Sequence, residues 1–301
     1  MNETGQRLLT TATRWSARAF FRTPSGLPIP ASLKRRWTEI AATANRTPTG
    51  LERGEARLGG VAAETLTPAG AAGSILYIHG GAFFQGSPRV QRPAPAGLAL
   101  GAGARAYAPR YRLAPEHPFP AALDDCLAAY RALADREEGG IALAGDSAGA
   151  GLALSVAIAA RDEGLEQPAA IFLICPWVDL SADAEGTRPP GPGTDPILAT
   201  SHLEFGARDY LAGHDPHDPR CSPLRADLAD LPPILVHTAE EDPLRPDAEA
   251  LAERVAAAGG EVELRRWPLW HDFHLHAGIL RQADKALAEG ASFIRDRLAS
   301  A

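Results

Sequence analysis

Lysine is nearly absent from this chain, at two positions (Lys34 and Lys285) in 301 residues, and the formal net charge is −7. The scarcity of lysine says nothing about function, but the net negative charge, with Arg and Lys spread along the chain, makes a nucleic-acid partner unexpected. Cysteine is scarce too, and Cys126, Cys175 and Cys221 lie far apart. They form no redox or metal-ligand motif. Cys126 and Cys175 read as buried thiols, and the set fits a reducing cytoplasm. No stretch approaches the roughly 20 apolar residues of a membrane span, and the N-terminal residues hold no apolar secretory core. Internal repeats are missing as well. The apolar share of 45% is that of a globular protein, in a chain long enough for one full core. The chemistry has to come from motifs.

The most telling segment is Gly145-Asp146-Ser147-Ala148-Gly149, between the apolar run Ile141-Ala142-Leu143 and a helix-like stretch from Ala150. A G-x-S-x-G pentapeptide between strand and helix is the pattern of a nucleophile elbow. The turn is tight, so the residues flanking the serine need almost no side chain. The serine then stands at a helix N-terminus, which favours negative charge developing beside it. Asp146 points away from such an elbow and reads as a structural hydrogen-bond partner.

This elbow requires three companions. The first is a set of oxyanion donors. Ser74-Ile75-Leu76-Tyr77-Ile78 reads as a buried strand, and His79-Gly80-Gly81-Ala82-Phe83 follows it. A Gly-rich turn there exposes backbone N–H groups, each worth roughly 3 kcal/mol to a tetrahedral oxyanion. Gly81, Ala82 and Ala148 are the expected donors, Gly80 shapes the turn, and His79 anchors the loop. The other two are an acid and then a histidine, in the chain order Ser…Asp/Glu…His. Asp242 follows the strand Pro233–Thr238, with Glu241 second and Asp247 expected to cap or line the next helix. His271 follows the strand Val262–Trp267. His274 and His276 fall where the terminal helix is expected to begin, and His237 sits inside a strand.

The chain resembles the hormone-sensitive-lipase-like bacterial carboxylesterases of the α/β-hydrolase superfamily. The segments that carry this are His79–Phe83, Tyr111–Ala122 (YRLAPEHPFPAA), Gly145–Gly149, Cys175–Leu180 and Asp242-Pro243-Leu244, in order across roughly residues 70–275. The resemblance implies an α/β fold with a mostly parallel central sheet, flanking helices and a helical cap. It also implies Ser147 as nucleophile, Asp242 as acid, His271 as base, and oxyanion donors from the His-Gly-Gly loop and Ala148. Two positions depart from the family. Ala82 replaces a third loop glycine, keeping its N–H while its methyl narrows the acyl side. Asp272 follows the histidine where glycine is frequent, and its carboxylate is expected to raise the His271 pKa or compete for its hydrogen bond.

The expected organisation is N-terminal cap helices over residues 1–50 and a catalytic domain over 51–301. Opening strands fall at 51–67 and a cap insertion at about 183–215, containing a helix over 199–211. The N-terminal stretch is Arg-rich and amphipathic, with Trp15, Phe20 and Phe21. It fits a membrane-surface helix, a transit peptide or a lid over the site, and the lid is the reading adopted. Glu116 with His117 should brace the oxyanion loop, and Asp179 could hold the cap. His214, Asp215, His217 and Asp218 read as a solvated turn rather than a metal site. The activity implied is two-step hydrolysis of short- to medium-chain carboxylic esters, with no metal or organic cofactor. The alternatives are a lactone hydrolase with the same triad and a non-catalytic receptor on the same fold. The expected partner is a small-molecule ester, without nucleic acid or stable membrane insertion, and a homodimer is a fair guess.

Overall fold

The structure, a computed structural model, describes residues 3–22, 29–137, 139–181 and 195–300. The Gly/Pro-rich part of the expected insertion, residues 182–194, lies outside the described residues. The chain is built on an eight-stranded sheet in the order β1-β2-β4-β3-β5-β6-β7-β8. The hairpin of β1 (Leu51–Leu58) and β2 (Val61–Pro68) turns at Gly59-Gly60. Both glycines have positive φ there, +55° and +89°, as a two-residue hairpin loop requires. β2 pairs antiparallel with β4 (Arg105–Pro109). The remaining pairings, through β3 (Ser74–Ile78), β5 (Ile141–Asp146), β6 (Ala170–Ile174), β7 (Ile234–Ala239) and β8 (Val262–Trp267), are parallel.

β3, β5, β6 and β7 are buried along their whole length. Their uninterrupted apolar runs, such as Ile171-Phe172-Leu173-Ile174, reflect cover on both faces. On one side pack α4 (Ala121–Ala134), α5 (Ala148–Asp162) and α7 (Arg245–Ala257), through Leu123, Leu152, Val156 and Leu251. On the other pack α3 (Pro93–Ala102) and α8 (Arg281–Leu298), through Leu98, Ala286, Leu287 and Ile294. α1 (Glu3–Ala17), a π-helical turn (Arg18–Arg22) and α2 (Ala31–Ala41) precede the sheet. α6 (Thr200–Leu211) takes up the helix expected over 199–211.

Register brings the strand ends level, with Ile78 opposite Gly145, Asp146 opposite Ile174 and Ile174 opposite His237. The loops that follow these strands therefore meet along one edge, where open α/β sheets build their sites. The terminal helix starts later than expected. His274 and His276 lie in a 3₁₀ turn (Phe273–His276), and Gly278, at φ +76°, separates it from α8.

Candidate active site

Ser147 alone joins β5 to α5, at φ +52° and ψ −122°. Such an angle at a non-glycine residue costs of order 1–3 kcal/mol and persists only where the surroundings enforce it. Here the Ser147 N–H donates to the Ile174 carbonyl at 2.8 Å, and its own carbonyl accepts from Trp177 N at 3.1 Å. The flanking glycines serve closeness rather than angle. A Cβ on Gly149 would stand 2.2 Å from the Ile78 carbonyl oxygen, and one on Gly145 2.6 Å from that of Gly149.

The loop after β8 carries His271 to this serine. Its Nε2 lies 3.0 Å from Ser147 Oγ, and its Nδ1 lies 2.9 Å from Asp242 Oδ1. Asp242 sits in the turn after β7, where Oδ1 also accepts the Leu244 N–H at 2.9 Å. The His271 backbone N–H donates to Asp195 Oδ2 at 2.7 Å, a support 76 residues away that no local pattern announced. The serine, the histidine and the acid are all buried.

The His-Gly-Gly loop, residues 79–83, packs over the end of β5. A Cβ on Gly80 would fall 2.3 Å from Asp146 Oδ2 and 2.7 Å from the Asp146 carbonyl oxygen, so a side chain there would force the loop to shift. Gly81, at φ +119°, would put a Cβ 2.2 Å from the Gln85 carbonyl oxygen. Ala82 holds φ +50° despite its methyl, and Phe83 follows at +64°. Gly206 on α6 leaves room for that methyl, since a Cβ there would come within 2.8 Å of it. His79 is a neutral anchor. Its Nδ1 lies 2.8 Å from the Gly80 carbonyl oxygen, its ring stacks on Tyr111 at 4.2 Å, and burial pushes its pKa down to about 4.

The competing residues have other partners. Glu241 receives a bidentate bond from Arg14 of α1 at 2.6 Å, and the same guanidinium lies 4.9 Å over the Trp270 ring. Glu116 pairs with Arg35 of α2 at 2.6 Å, and Arg35 also donates to the Phe84 and Ala114 carbonyls at 2.7 and 2.6 Å. Each N-terminal helix is thus tied by one arginine to a site loop. Asp247 stands in the first turn of α7, but its carboxylate accepts from Val178 and Asp179 N–H at 3.1 and 3.2 Å, which fastens the loop after β6. Asp179 itself pairs with Arg225 at 3.1 Å. His237 is buried in β7, 3.3 Å from His274 Nε2. His214 and His217 form separate pairs with Asp218 (2.7 Å) and Asp215 (3.0 Å). Among the described residues, ligand-type atoms converge within 4.8 Å at Cys175, His271 and Asp272.

Asp272 makes the electrostatics unusual. It adopts φ +50°, which turns its Oδ2 to 3.3 Å from His271 Nε2, on the serine side of the ring. Burial alone would lower the His271 pKa, but the carboxylates of Asp272 and Asp242 outweigh it and hold the imidazole well above its ordinary value. Asp146 accepts from Tyr77 OH at 2.7 Å, and burial, then the charge of Asp272, push its pKa up to about 8. The narrow cavity over the serine holds about 60 Å³ and is walled by Gly81, Ala82, Leu198, His202, Leu275 and Phe21.

A strained serine on a strand-to-helix turn, aligned with a histidine and a buried aspartate at the end of a mostly parallel sheet, defines an α/β-hydrolase. The profile of a family with the alpha/beta hydrolase fold matches residues 75–275. LipR of Mycobacterium tuberculosis is 40% identical over 84% of this chain and 83% of its own length. An esterase of Acinetobacter venetianus is 33% identical over 92% of each. The crystal structure of an esterase from the bacterial hormone-sensitive lipase family superposes with a TM-score of 0.89 at 33% identity, covering 99% of both chains. EstE5, in a crystal soaked with p-nitrophenyl butyrate, gives 0.88 at 32% identity over 97% of this chain and 99% of its own. The chain belongs to the hormone-sensitive-lipase-like carboxylesterases, and its activity is hydrolysis of carboxylic esters.

Proposed function

We propose that Ser147, His271 and Asp242 hydrolyse small esters through an acyl-enzyme. His271 Nε2 takes the Ser147 proton as Oγ bonds to the ester carbonyl carbon. The C=O pair moves onto oxygen, opposite the N–H groups of Gly81, Ala82 and Ala148, with Gly80 holding the turn. Asp242 orients the imidazole and stabilises its charged form. The carbonyl re-forms, the C–O bond to the alcohol breaks, and the leaving oxygen takes the proton from Nε2. Water then repeats the sequence on the acyl-serine and releases the acid. The observation that carries this reading is the pair of bonds at His271, 3.0 Å to Ser147 Oγ and 2.9 Å to Asp242 Oδ1.

The cavity of about 60 Å³ supports short acyl groups as the preferred substrates. α2 and α6 contribute Thr38 and His202 to its wall, and Arg14 and Arg35 tie α1 and α2 to site loops, which supports a cap built from both the N-terminal helices and the insertion. No described helix is long and apolar enough to cross a membrane. Three buried thiols without a disulfide support a reducing, cytoplasmic setting. The test is turnover of p-nitrophenyl acetate, butyrate, octanoate and palmitate by the protein and by Ser147→Ala. Activity should peak at the acetate or butyrate and fall by about 10⁴-fold or more in the variant. Turnover retained by a folded Ser147→Ala protein would overturn the assignment.

A further inference from the structure

The first two helices are inside-out. Their buried positions are Thr13 and Ala17 on α1 and Lys34 and Thr38 on α2. Apart from Leu9, which packs partly against the core, the large apolar residues of these helices face outward, Leu8 and Trp15 at 68% exposure, Ile40 at 59%, Leu33 at 51% and Trp37 at 41%, as does Phe20 at 47% in the π-helical turn after α1. Among the described residues, no large hydrophobic beyond Ile40 stands comparably exposed. The outward residues also keep helical spacing. Leu8 and Trp15 are two turns apart, and Leu33, Trp37 and Ile40 follow an i, i+4, i+7 stripe. Trp37 Nε1 donates to the Phe20 carbonyl at 2.8 Å and its ring stacks on Phe20, which joins the α2 stripe to the turn that follows α1. A contiguous exposed apolar patch marks a surface made to be covered.

Charge identifies the cover. Residues 1–50 hold eight Arg and Lys against Glu3 and Glu39, a segment charge of +6 in a chain of net −7, which leaves −13 for residues 51–301. Arg7, Arg18 and Arg36 stand exposed on the same helices as the aromatic residues. A second copy meeting this face across a two-fold axis would bring the exposed Arg7 and Arg36 of each copy against a like-charged surface, which disfavours that contact. An anionic lipid surface answers both features, since tryptophan settles at the headgroup level and arginine meets lipid phosphate. The rest of the molecule, at −13, would be repelled by such a surface, so the same charges fix the orientation. A cavity of about 480 Å³ opens in this face, lined by Phe20, Trp37, Ile40 and Ala12, with room for an inserted acyl chain.

We propose that the outer face of α1 and α2 docks this enzyme on an anionic phospholipid surface, as a peripheral contact without spanning. The test uses the full chain and extruded vesicles, of phosphatidylcholine alone and of phosphatidylcholine with phosphatidylglycerol in equal parts, read by co-sedimentation and tryptophan emission. We expect binding to the mixed vesicles at least tenfold tighter than to phosphatidylcholine, since each basic residue near the surface contributes roughly a factor of five. It should weaken with salt and carry a blue shift of the emission. Arg7→Glu with Arg36→Glu should lower mixed-vesicle binding by at least tenfold, and Trp15→Ser should reduce the blue shift. Both proteins should keep the native circular dichroism and p-nitrophenyl acetate turnover. Equal partition onto both vesicles, or no binding at low salt, would overturn the proposal. So would a concentration-dependent dimer in ultracentrifugation that Trp15→Ser dissociates, because the face would then belong to a second copy. Binding is read without turnover, so this proposal can fail while the esterase assignment stands.

Discussion

His271 faces two carboxylates at once, Asp242 at Nδ1 and Asp272 at Nε2. The groups around it are almost all acidic: Asp195 on its backbone N–H, Asp146 beyond Asp272, and the Cys175 thiol, with His274 and His202 kept neutral by burial. A raised histidine pKa means that the imidazolium persists as pH rises, and the imidazolium cannot accept the serine proton. The acid limb of kcat/KM should therefore lie well above the ordinary histidine value of about 6.5. Asp272→Asn removes a charge that favours the imidazolium, so the neutral base survives to lower pH. The limb should move down by about one pH unit or more, which makes the variant faster than the parent on the acid side. A pH–rate profile of both proteins decides it. An unmoved limb would mean that Asp272 does not act on the imidazole.

The elbow shows what an element demands of its sequence. α5 is buried at every residue from Ala148 to Ala157, and its run of Ala and Gly lets it lie flush against β3 and the loop after β6. A Cβ on Gly149 would meet the carbonyl oxygens of Ile78 and His79 at 2.2 and 2.4 Å, both backbone atoms that cannot rotate aside. Gly149→Ala should lose about 1–3 kcal/mol or more, seen as a Tm lower by several degrees, and esterase activity should fall with it. An unchanged Tm would mean that α5 shifts freely. This steric demand is why the elbow was legible in the sequence: the motif is the packing constraint written out. The level ends of β5, β7 and β8 were legible for a similar reason, as apolar runs followed by Ser147, Asp242 and His271. The supports were not. Asp195 reaches His271, Arg14 reaches Glu241 and Arg35 reaches Glu116 across long stretches of chain, and nothing in local spacing distinguishes one exposed arginine or glutamate from another. Asp272 was visible as a departure from the family, but its placement beside Nε2 depends on a left-handed backbone angle that the neighbouring letters do not announce.

At the scale of the whole molecule, the two cavities differ eightfold in size and share one wall. The space over Ser147 holds about 60 Å³, the space between α1 and α2 about 480 Å³, and Phe21 lines both. Phe21 is half-buried in the π-helical turn that follows α1. On the proposed acyl-enzyme route, an acyl chain too long for the first cavity is expected to meet this ring before it reaches the second, so we expect the side chain to set the length limit. Removing it should let the end of a longer chain leave water. Each methylene buried contributes about 0.8 kcal/mol, so two more would raise kcat/KM roughly tenfold for the longer ester and leave the acetate little changed. Phe21→Ala is therefore expected to increase the octanoate-to-acetate ratio of kcat/KM by about that factor, measured on p-nitrophenyl esters at one pH. A ratio that stays put while acetate turnover is intact would mean that a wall other than Phe21 closes the acyl side, and the methyl of Ala82, buried beside α6, is where the next substitution would go.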